Sequence, residues 1–299
     1  MKKFFKWLGI ILGTLLGLLA ILLVVFLFKG NAMASKTYNI PPENITIPTD
    51  AASIARGKHF VQIICSDCHT SDLSGKLLLD APFAQVYSAN LTPGKGGAGS
   101  KFTNADWVRV LRHGVDDQGR DLVVMPAQIF WNFNDQDLGD IIAYLKTLPP
   151  VDKVNPDPKI TVLGKIMFGA GMFGPGIIPA NVIAHNQRPP VIPIGVTVEY
   201  GGYLVSVSGC HDCHGAQLAG GKSQKPGAID APNLTPGGDP KTWTAADFIK
   251  TIRTGTNPAG HALNPDEMPW KHFTNYTDDE LNAIFLYLQS LQPLQTVKP

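Results

Sequence analysis

Cysteine, charge and long apolar runs are all scarce in this 299-residue sequence. It has four cysteines, and charged residues make up 16% of the chain with a formal net charge of +1. Such a balance provides no strongly basic or acidic surface, which argues against binding to nucleic acid or to a strongly acidic partner. Only one apolar run is long enough to cross a bilayer, so several membrane spans are not expected.

That apolar run covers residues 7–28 and follows three lysines within the first six residues. Its length suits the hydrocarbon core of a bilayer, which needs about 20 helical residues. The lysines predict a cytoplasmic N-terminus. The alternative is a cleaved signal peptide, because residues 32–34 read Ala-Met-Ala, but signal peptides usually have a shorter apolar region of about 7–15 residues. We therefore predict a retained single span in the bacterial inner membrane, with everything after Lys29 on the periplasmic side.

All four cysteines lie in two Cys-X-X-Cys-His motifs. The motif residues are Cys65, Cys68 and His69 in the first copy, and Cys210, Cys213 and His214 in the second. The spacing predicts covalent haem attachment, because two thiols bond to the two vinyl groups of the porphyrin and the histidine binds its iron. A structural zinc site is the alternative, but it needs no histidine after each pair, and its pairs are usually closer together. Two covalently bound haem c groups are therefore expected.

An internal repeat relates residues 51–150 to residues 196–293. It pairs Asn90-Leu91-Thr92-Pro93 with Asn233-Leu234-Thr235-Pro236, Arg112 with Arg253, Met125-Pro126 with Met268-Pro269, and Gly57 with Gly202. In each copy, capping residues precede apolar-periodic stretches: Asp50 before residues 51–64, Thr103 and Thr244 before the middle helices, and Thr277 before the last helix. The pattern predicts an all-α fold.

The repeat also predicts how the chain is divided. We expect a cytoplasmic tail and transmembrane anchor at residues 1–30, a linker at 31–50, a first domain at 51–150, a connector at 151–195 and a second domain at 196–299. The apolar stretch at residues 166–179 lies in the connector and is interrupted by glycines. It is too short to span a membrane, so it is expected to pack between domains or to touch the membrane surface or a partner.

Met125 and Met268 are the candidates for the second iron ligand in each copy. Both precede proline, which keeps the methionine backbone extended and out of a helix. The alternatives are that they only fill the core, or that His261 or His272 replaces Met268. Histidine and methionine together raise the reduction potential and close the iron to incoming molecules. This coordination favours electron transfer over catalysis.

Two further repeated positions have two interpretations each. Arg112 and Arg253 are expected either to pair with haem propionates, which arginine can bind bidentately, or to lie in water. Trp107 and Phe248 are expected either to contact the haem or simply to pack in the core.

The motifs together resemble a known family. Ala231-Pro232-Asn233-Leu234-Thr235-Pro236, followed by Trp243-Thr244-Ala245-Ala246-Asp247-Phe248 and Met268-Pro269, is similar to the cytochrome c subunits of bacterial membrane-bound alcohol, aldehyde and related dehydrogenases. The resemblance implies tandem class I cytochrome c domains with histidine and methionine ligands, passing electrons from a periplasmic dehydrogenase to quinone or an oxidase. Those subunits commonly carry three haem motifs and vary in membrane attachment, whereas this sequence has two motifs and an N-terminal span.

The leading hypothesis is a membrane-anchored dihaem electron carrier without catalytic residues of its own. Its partners would be a dehydrogenase, a quinol-oxidising complex or a terminal oxidase. The main alternative is a dihaem enzyme such as a cytochrome c peroxidase, which needs one iron open to peroxide. A haem-based sensor is a weaker alternative, because no output domain is evident on the cytoplasmic side.

Overall fold

The computed structural model describes residues 1–222 and 229–296. The described chain is mostly helical, and its α-helices are α1 (Lys2–Ala34), α2 (Ala51–Ile64), α3 (Ser66–His69), α4 (Asn104–His113), α5 (Ala127–Phe130), α6 (Asp135–Leu145), α7 (Val162–Gly169), α8 (Val198–Val207), α9 (Cys210–His214), α10 (Ala245–Thr254), α11 (Trp270–Phe273) and α12 (Asp278–Ser290). Short 3-10 helices cover Pro175–Ile177, Pro179–Asn181 and Asp239–Thr242.

The described chain also contains short strands, so the all-α prediction is met only in part. The strands are β1 (Leu77–Ala81), β2 (Ala84–Tyr87), β3 (Lys159–Ile160), β4 (Ala219–Gly221) and β5 (Ala231–Asn233). The first three form an antiparallel sheet in the order β1-β2-β3, and β4 pairs antiparallel with β5. Because β3 belongs to the connector, this sheet ties the connector to the first unit.

Helix α1 contains the predicted apolar run. Among the residues that the structure describes, it is the one helix long and apolar enough to cross a membrane by length and composition, a criterion that a signal sequence also meets. Most of its apolar side chains are exposed, as Leu16 and Leu19 illustrate. A helix that is apolar all round and unburied is typical of a segment surrounded by lipid.

Each repeat is built on a crossing between its first and last long helices. In the first unit α2 packs against α6, and in the second α8 packs against α12. A Cβ added to Gly57 would overlap the carbonyl oxygen of Asp140, and one added to Gly201 would overlap that of Ala283. Only glycine allows backbones to approach so closely.

This close approach corrects one detail of the repeat alignment. Gly201 makes the contact equivalent to that of Gly57, whereas Gly202, the predicted equivalent, faces the ring of Tyr287. The second unit has one extra residue before its cysteine motif. It is accommodated by Gly209, which adopts the left-handed conformation at φ 70°.

The predicted helix boundaries agree with the structure at their caps. Thr103 and Thr244 each form a capping box with the aspartate three residues later, and Thr277 forms one with Glu280. Gly114 and Gly255 end α4 and α10 in the left-handed conformation. These local interactions fix the middle helices of both units in the same way. The last helices differ at their start, because Asn134 caps α6 without a capping box.

The two units share one continuous hydrophobic core. It contains Phe60 and Phe133 from the first unit and Leu204 and Leu281 from the second, all nearly inaccessible to solvent. The contacts between units are reciprocal: α11 packs against α2, and α5 packs against α8. The helix after each Met-Pro pair therefore lies against the other unit's first helix.

Candidate haem-attachment sites

The first long helix of each unit leads directly into its cysteine motif. Cys65 is the C-cap of α2 and is buried, and α3 then contains Cys68 and His69. In the second unit, Cys210 to His214 form helix α9. A single helical turn places two cysteines three positions apart on one face, next to the following histidine. This is the local arrangement that two thioether bonds and one axial ligand require.

Both motif histidines are oriented by a backbone carbonyl. The Nδ1 atom of His69 lies 2.8 Å from the oxygen of Ala89, and that of His214 lies 2.8 Å from the oxygen of Pro232. Because a carbonyl only accepts, Nδ1–H donates, and the lone pair is left on Nε2. Burial lowers the pKa of both histidines below the usual value, which favours the neutral form. A neutral imidazole with a free Nε2 is the form that binds iron.

The Asn-Leu-Thr-Pro sequences, found as a repeat, hold these carbonyls in place. Asn90 donates from Nδ2 to the oxygen of Val151, and its Oδ1 accepts from the backbone N–H of Thr92. In the second unit, Asn233 makes the same bonds to Leu294 and Thr235.

All four motif side chains, Asn90, Thr92, Asn233 and Thr235, are buried. Each asparagine directly follows the residue whose carbonyl orients the histidine. The motif therefore fixes the loop that positions the proximal ligand. Sequence reasoning found the repetition but missed this role.

Met125 and Met268 lie in equivalent turns. The backbone N–H of Ala127 donates to the oxygen of Met125 at 2.8 Å, and that of Trp270 donates to the oxygen of Met268 at 2.7 Å. Both side chains are half-buried and pack against the shared core, which also receives Cys65 and Cys210. The proline after each methionine begins the short helix α5 or α11.

The two repeated arginines are bound by other protein groups, so the prediction that they simply lie in water is wrong. The Arg112 side chain is inaccessible to solvent and binds Glu43 and Asp135, the latter at 2.6 Å. Arg253 binds Asp278 at 2.6 Å and the backbone oxygen of Tyr276 at 2.7 Å. Each guanidinium thus joins the middle helix to the start of the last helix. Protein oxygens accept from the terminal N–H groups of both side chains, whereas the buried Nε of Arg112 has no hydrogen-bond partner within the described chain. Pairing with a haem propionate stays a prediction.

The repeated aromatic residues belong to the core. Trp107 is 1% exposed and packs edge-on against Phe102, with ring centroids 5.2 Å apart. Phe248 is likewise buried and packs on Phe285. Both side chains therefore pack in the core, and their contact with a haem stays a prediction.

The two histidines near Met268 have different environments. His261 is exposed. His272 lies 3.2 Å from Asp67, Nε2 to Oδ1, and Asp67 is one of the two residues between Cys65 and Cys68. On the other side of the interface, an added Cβ at Gly209 would overlap the side chain of Ile129 in α5. Each cysteine motif therefore contacts the helix that follows the other unit's methionine.

These features fit a covalently attached haem in each unit. Among residues 1–222 and 229–296, no group of three or more His, Cys, Asp and Glu side chains is arranged to hold a metal ion directly. All four cysteines are free of disulfides. The donor set of each site is two thiols and an oriented imidazole, and this combination suits haem c better than zinc.

Comparison with protein families agrees with this chemistry. The model described as "Cytochrome c" matches residues 198–292, and the model described as "Cytochrome C oxidase, cbb3-type, subunit III" matches residues 52–145. Both repeats are therefore cytochrome c domains. Two such domains, each with its own attachment motif, account for two covalently bound haem c groups, as in a relative described as a diheme cytochrome c.

Several curated relatives extend across both domains. The "Fructose dehydrogenase cytochrome subunit" of Gluconobacter japonicus is 28% identical over 276 residues, which cover 82% of this chain and 55% of the relative. The "Alcohol dehydrogenase (quinone), cytochrome c subunit" of Gluconobacter oxydans is 26% identical over 272 residues, covering 81% and 55%. A "Diheme cytochrome c-type" of Cereibacter sphaeroides is 26% identical over 269 residues, covering 77% and 83%. The chain thus spans little more than half the length of the two dehydrogenase subunits.

Proposed function

We propose that His69 with Met125, and His214 with Met268, are the axial ligand pairs of the two haem groups. The duplicated hydrogen bond from histidine Nδ1 to a carbonyl carries this proposal, because it leaves Nε2 free in both units. The equivalent Met-Pro turns support the methionines as the second ligands. Cys65, Cys68, Cys210 and Cys213 would form the thioether bonds.

We further propose that both units are class I cytochrome c domains in tandem, with boundaries at residues 51–150 and 196–299. The support is the repeated helix crossing at Gly57 and Gly201 together with the repeated caps of the later helices. Residues 151–195 connect the domains, and residues 31–50 connect the first domain to the anchor at 1–30.

When bound, haem c supplies a one-electron couple between ferrous and ferric iron. The protein residues would set its potential and exclude other ligands. A methionine opposite histidine raises the potential and leaves no position for substrate. The chain would therefore act as a carrier and contribute no acid, base or nucleophile.

The location that best suits this role is the periplasmic face of the bacterial inner membrane. Helix α1 has the length and composition of a single span, and lysines lie at its N-terminal end. Cationic residues preferentially stay on the cytoplasmic side. Both haem domains would then lie outside the cytoplasm.

We propose a membrane-bound dehydrogenase as electron donor and a quinone pool or an oxidase as acceptor. The support is that several relatives are cytochrome subunits of fructose, alcohol and gluconate dehydrogenases. Detergent purification from the native membrane should yield a dehydrogenase subunit together with this chain. Recovery of the cytochrome alone, with normal reduction by isolated quinol, would overturn the dehydrogenase partnership.

The haem assignment has its own test. The denatured protein should keep its red colour after extraction with acidified acetone, and its mass should exceed that of the polypeptide by two haem groups. Variants Cys68→Ala and Cys213→Ala should each lose a covalent bond to one haem. The peroxidase alternative requires rapid binding of cyanide or turnover of peroxide, and we expect neither in the untreated protein.

A further inference from the structure

The connector helix α7 lies antiparallel to the outer end of α1. An added Cβ at Gly30 would overlap the carbonyl oxygen of Lys165, and one at Gly169 would overlap that of Phe26. From Lys165 to Gly169 in α7, the neighbouring residues in α1 therefore run backwards from Gly30 to Phe26. Two glycines let the backbones meet, as they do between many membrane helices.

This packing sets the depth of the connector relative to the apolar run of α1. The run ends at Phe28 and Lys29 follows, so Phe26 lies inside it. The residues from Gly30 to Phe26 correspond to roughly 6 Å of helix rise. The end of α7 and the turn after it therefore lie beside the apolar run of α1, deeper than Lys29.

The turn after α7 has the composition of a lipid-exposed segment. Between residues 160 and 183, Lys165 is the one charged residue in the sequence, and its Nζ donates to Asn31 at 2.8 Å. Met172, in the turn itself, is 66% exposed. Lys165 therefore lies at the level where α1 becomes polar. Met172 follows the end of α7, which lies beside the apolar run of α1.

Part of the backbone of this turn is also paired as hydrocarbon requires. The N–H groups of Ala170, Gly171 and Met172 donate to carbonyls within α7, at 2.9, 2.9 and 3.1 Å. Irregular backbone inside a bilayer is costly unless its polar groups are paired in this way. Phe173 then folds back onto Phe168, with ring centroids 4.9 Å apart.

We propose that α7 and the turn at residues 170–174 insert into the outer leaflet beside α1 as a second, non-spanning membrane contact. The inference rests on the proposed membrane anchorage by α1. Insertion of about 5–10 Å is typical of elements that lie at a membrane interface. The contact would hold the first domain at a fixed tilt, because β3, which immediately precedes α7, is part of that domain's sheet.

The test is spin labelling of the haem-loaded, full-length protein in phosphatidylcholine and phosphatidylglycerol vesicles, with both haems reduced. Because the native cysteines are thioethers, Met172→Cys provides the one reactive thiol. Collision with oxygen, which partitions into lipid, is compared with collision with a water-soluble nickel complex. The matched control is Val154→Cys, another exposed apolar connector residue. A label on Met172→Cys should show a severalfold higher ratio of oxygen to nickel collisions than one on Val154→Cys.

A third label separates this inference from the anchorage on which it rests. Leu19→Cys lies in the middle of the apolar run. If its label collides mainly with oxygen and the Met172→Cys label collides mainly with nickel, α1 is anchored in the membrane but the turn is not inserted. If the Leu19→Cys label also meets nickel, the anchorage itself is wrong. A Met172→Cys label shielded from both reagents would indicate a protein neighbour and would also overturn the lipid contact.

Discussion

His59 in the first domain lies 2.8 Å from Glu280 in the second, Nε2 to Oε2. The repeat makes the reverse contact, because the hydroxyl of Tyr203 in the second domain donates to Asp137 in the first. His59 and Tyr203 each follow the helix-crossing glycine by two residues, and both acids are the third residue of the last helix. The interface between the domains therefore has pseudo-two-fold symmetry. An imidazole makes one of the two related contacts and a phenol makes the other.

Removing the imidazole should weaken this interface. We expect His59→Ala to lower the free energy of unfolding by about 1–3 kcal/mol, because the largely buried Glu280 carboxylate loses a donor. Adding Glu280→Gln should recover part of that loss, since an amide costs less to bury than a charge. Denaturant unfolding of the haem-loaded protein measures each effect, with the exposed His261→Ala as control. Strictly additive losses would show that the two residues are not coupled.

The same pair predicts an acid dependence. Burial raises the pKa of Glu280, but hydrogen bonds from His59 and Thr277 outweigh it, so the pKa lies below its usual value. The carboxylate therefore contributes stability that is fully present above the unfolded pKa of about 4.3 and is lost as the pH falls through the lower folded value. The unfolding free energy should decline with acid more steeply in the native protein than in Glu280→Gln. Parallel curves would contradict this linkage.

Neighbouring glycines provide a direct test of the helix crossing. Alanine at Gly201 would force the α8 and α12 backbones apart, whereas alanine at Gly202 would meet the Tyr287 ring at 3.0 Å, and this side chain can move. We expect Gly201→Ala to cost more stability than Gly202→Ala, with overpacking contributing at least about 1–3 kcal/mol. Thermal unfolding compares the two variants. Equal losses of stability in the two variants would contradict the assignment of Gly201, in place of Gly202, as the equivalent of Gly57.

The sequence was a good guide wherever one residue decides the local structure. Thr103, Thr244 and Thr277 predicted three helix N-termini, and each hydroxyl does accept the N–H three residues later. The cysteine spacing predicted haem attachment for the same reason, because the chemistry needs only residues that are adjacent in the chain. Such signals do not depend on how the rest of the chain packs.

Contacts between distant segments were beyond the reach of the sequence. Arg112 is buried by Glu43, which lies in the linker, and no local pattern indicates that partner. The pairing of Gly57 with Gly202 was wrong because equal spacing cannot reveal an inserted residue that Gly209 absorbs in a left-handed turn. The short strands were missed because they consist of few residues and pair across loops.

The Asn-Leu-Thr-Pro loops should be stabilising as well as positioning. Asn233→Ala would remove the bonds to Leu294 and Thr235, and we expect a loss of about 2–3 kcal/mol from two buried hydrogen bonds. The carbonyl of Pro232 would also lose its fixed position, so the potential of the second haem should shift. Denaturant unfolding and redox titration measure the two effects. The exposed Gln292→Ala serves as control, and an Asn233→Ala protein that behaves like it would contradict the proposed role.

The distal ligand of the second site can be tested by its spectrum. Met268→Ala should abolish the near-infrared sulfur-to-iron band of one centre and lower that centre's midpoint potential, within the roughly 0.8 V range that axial ligands cover. Met125→Ala should do the same for the other centre, whereas Met172→Ala, in the connector, should change neither. If the band of the second centre survives in Met268→Ala, this methionine is not its ligand. His272 would not be the obvious replacement, because its Nε2 is held by Asp67 of the other domain.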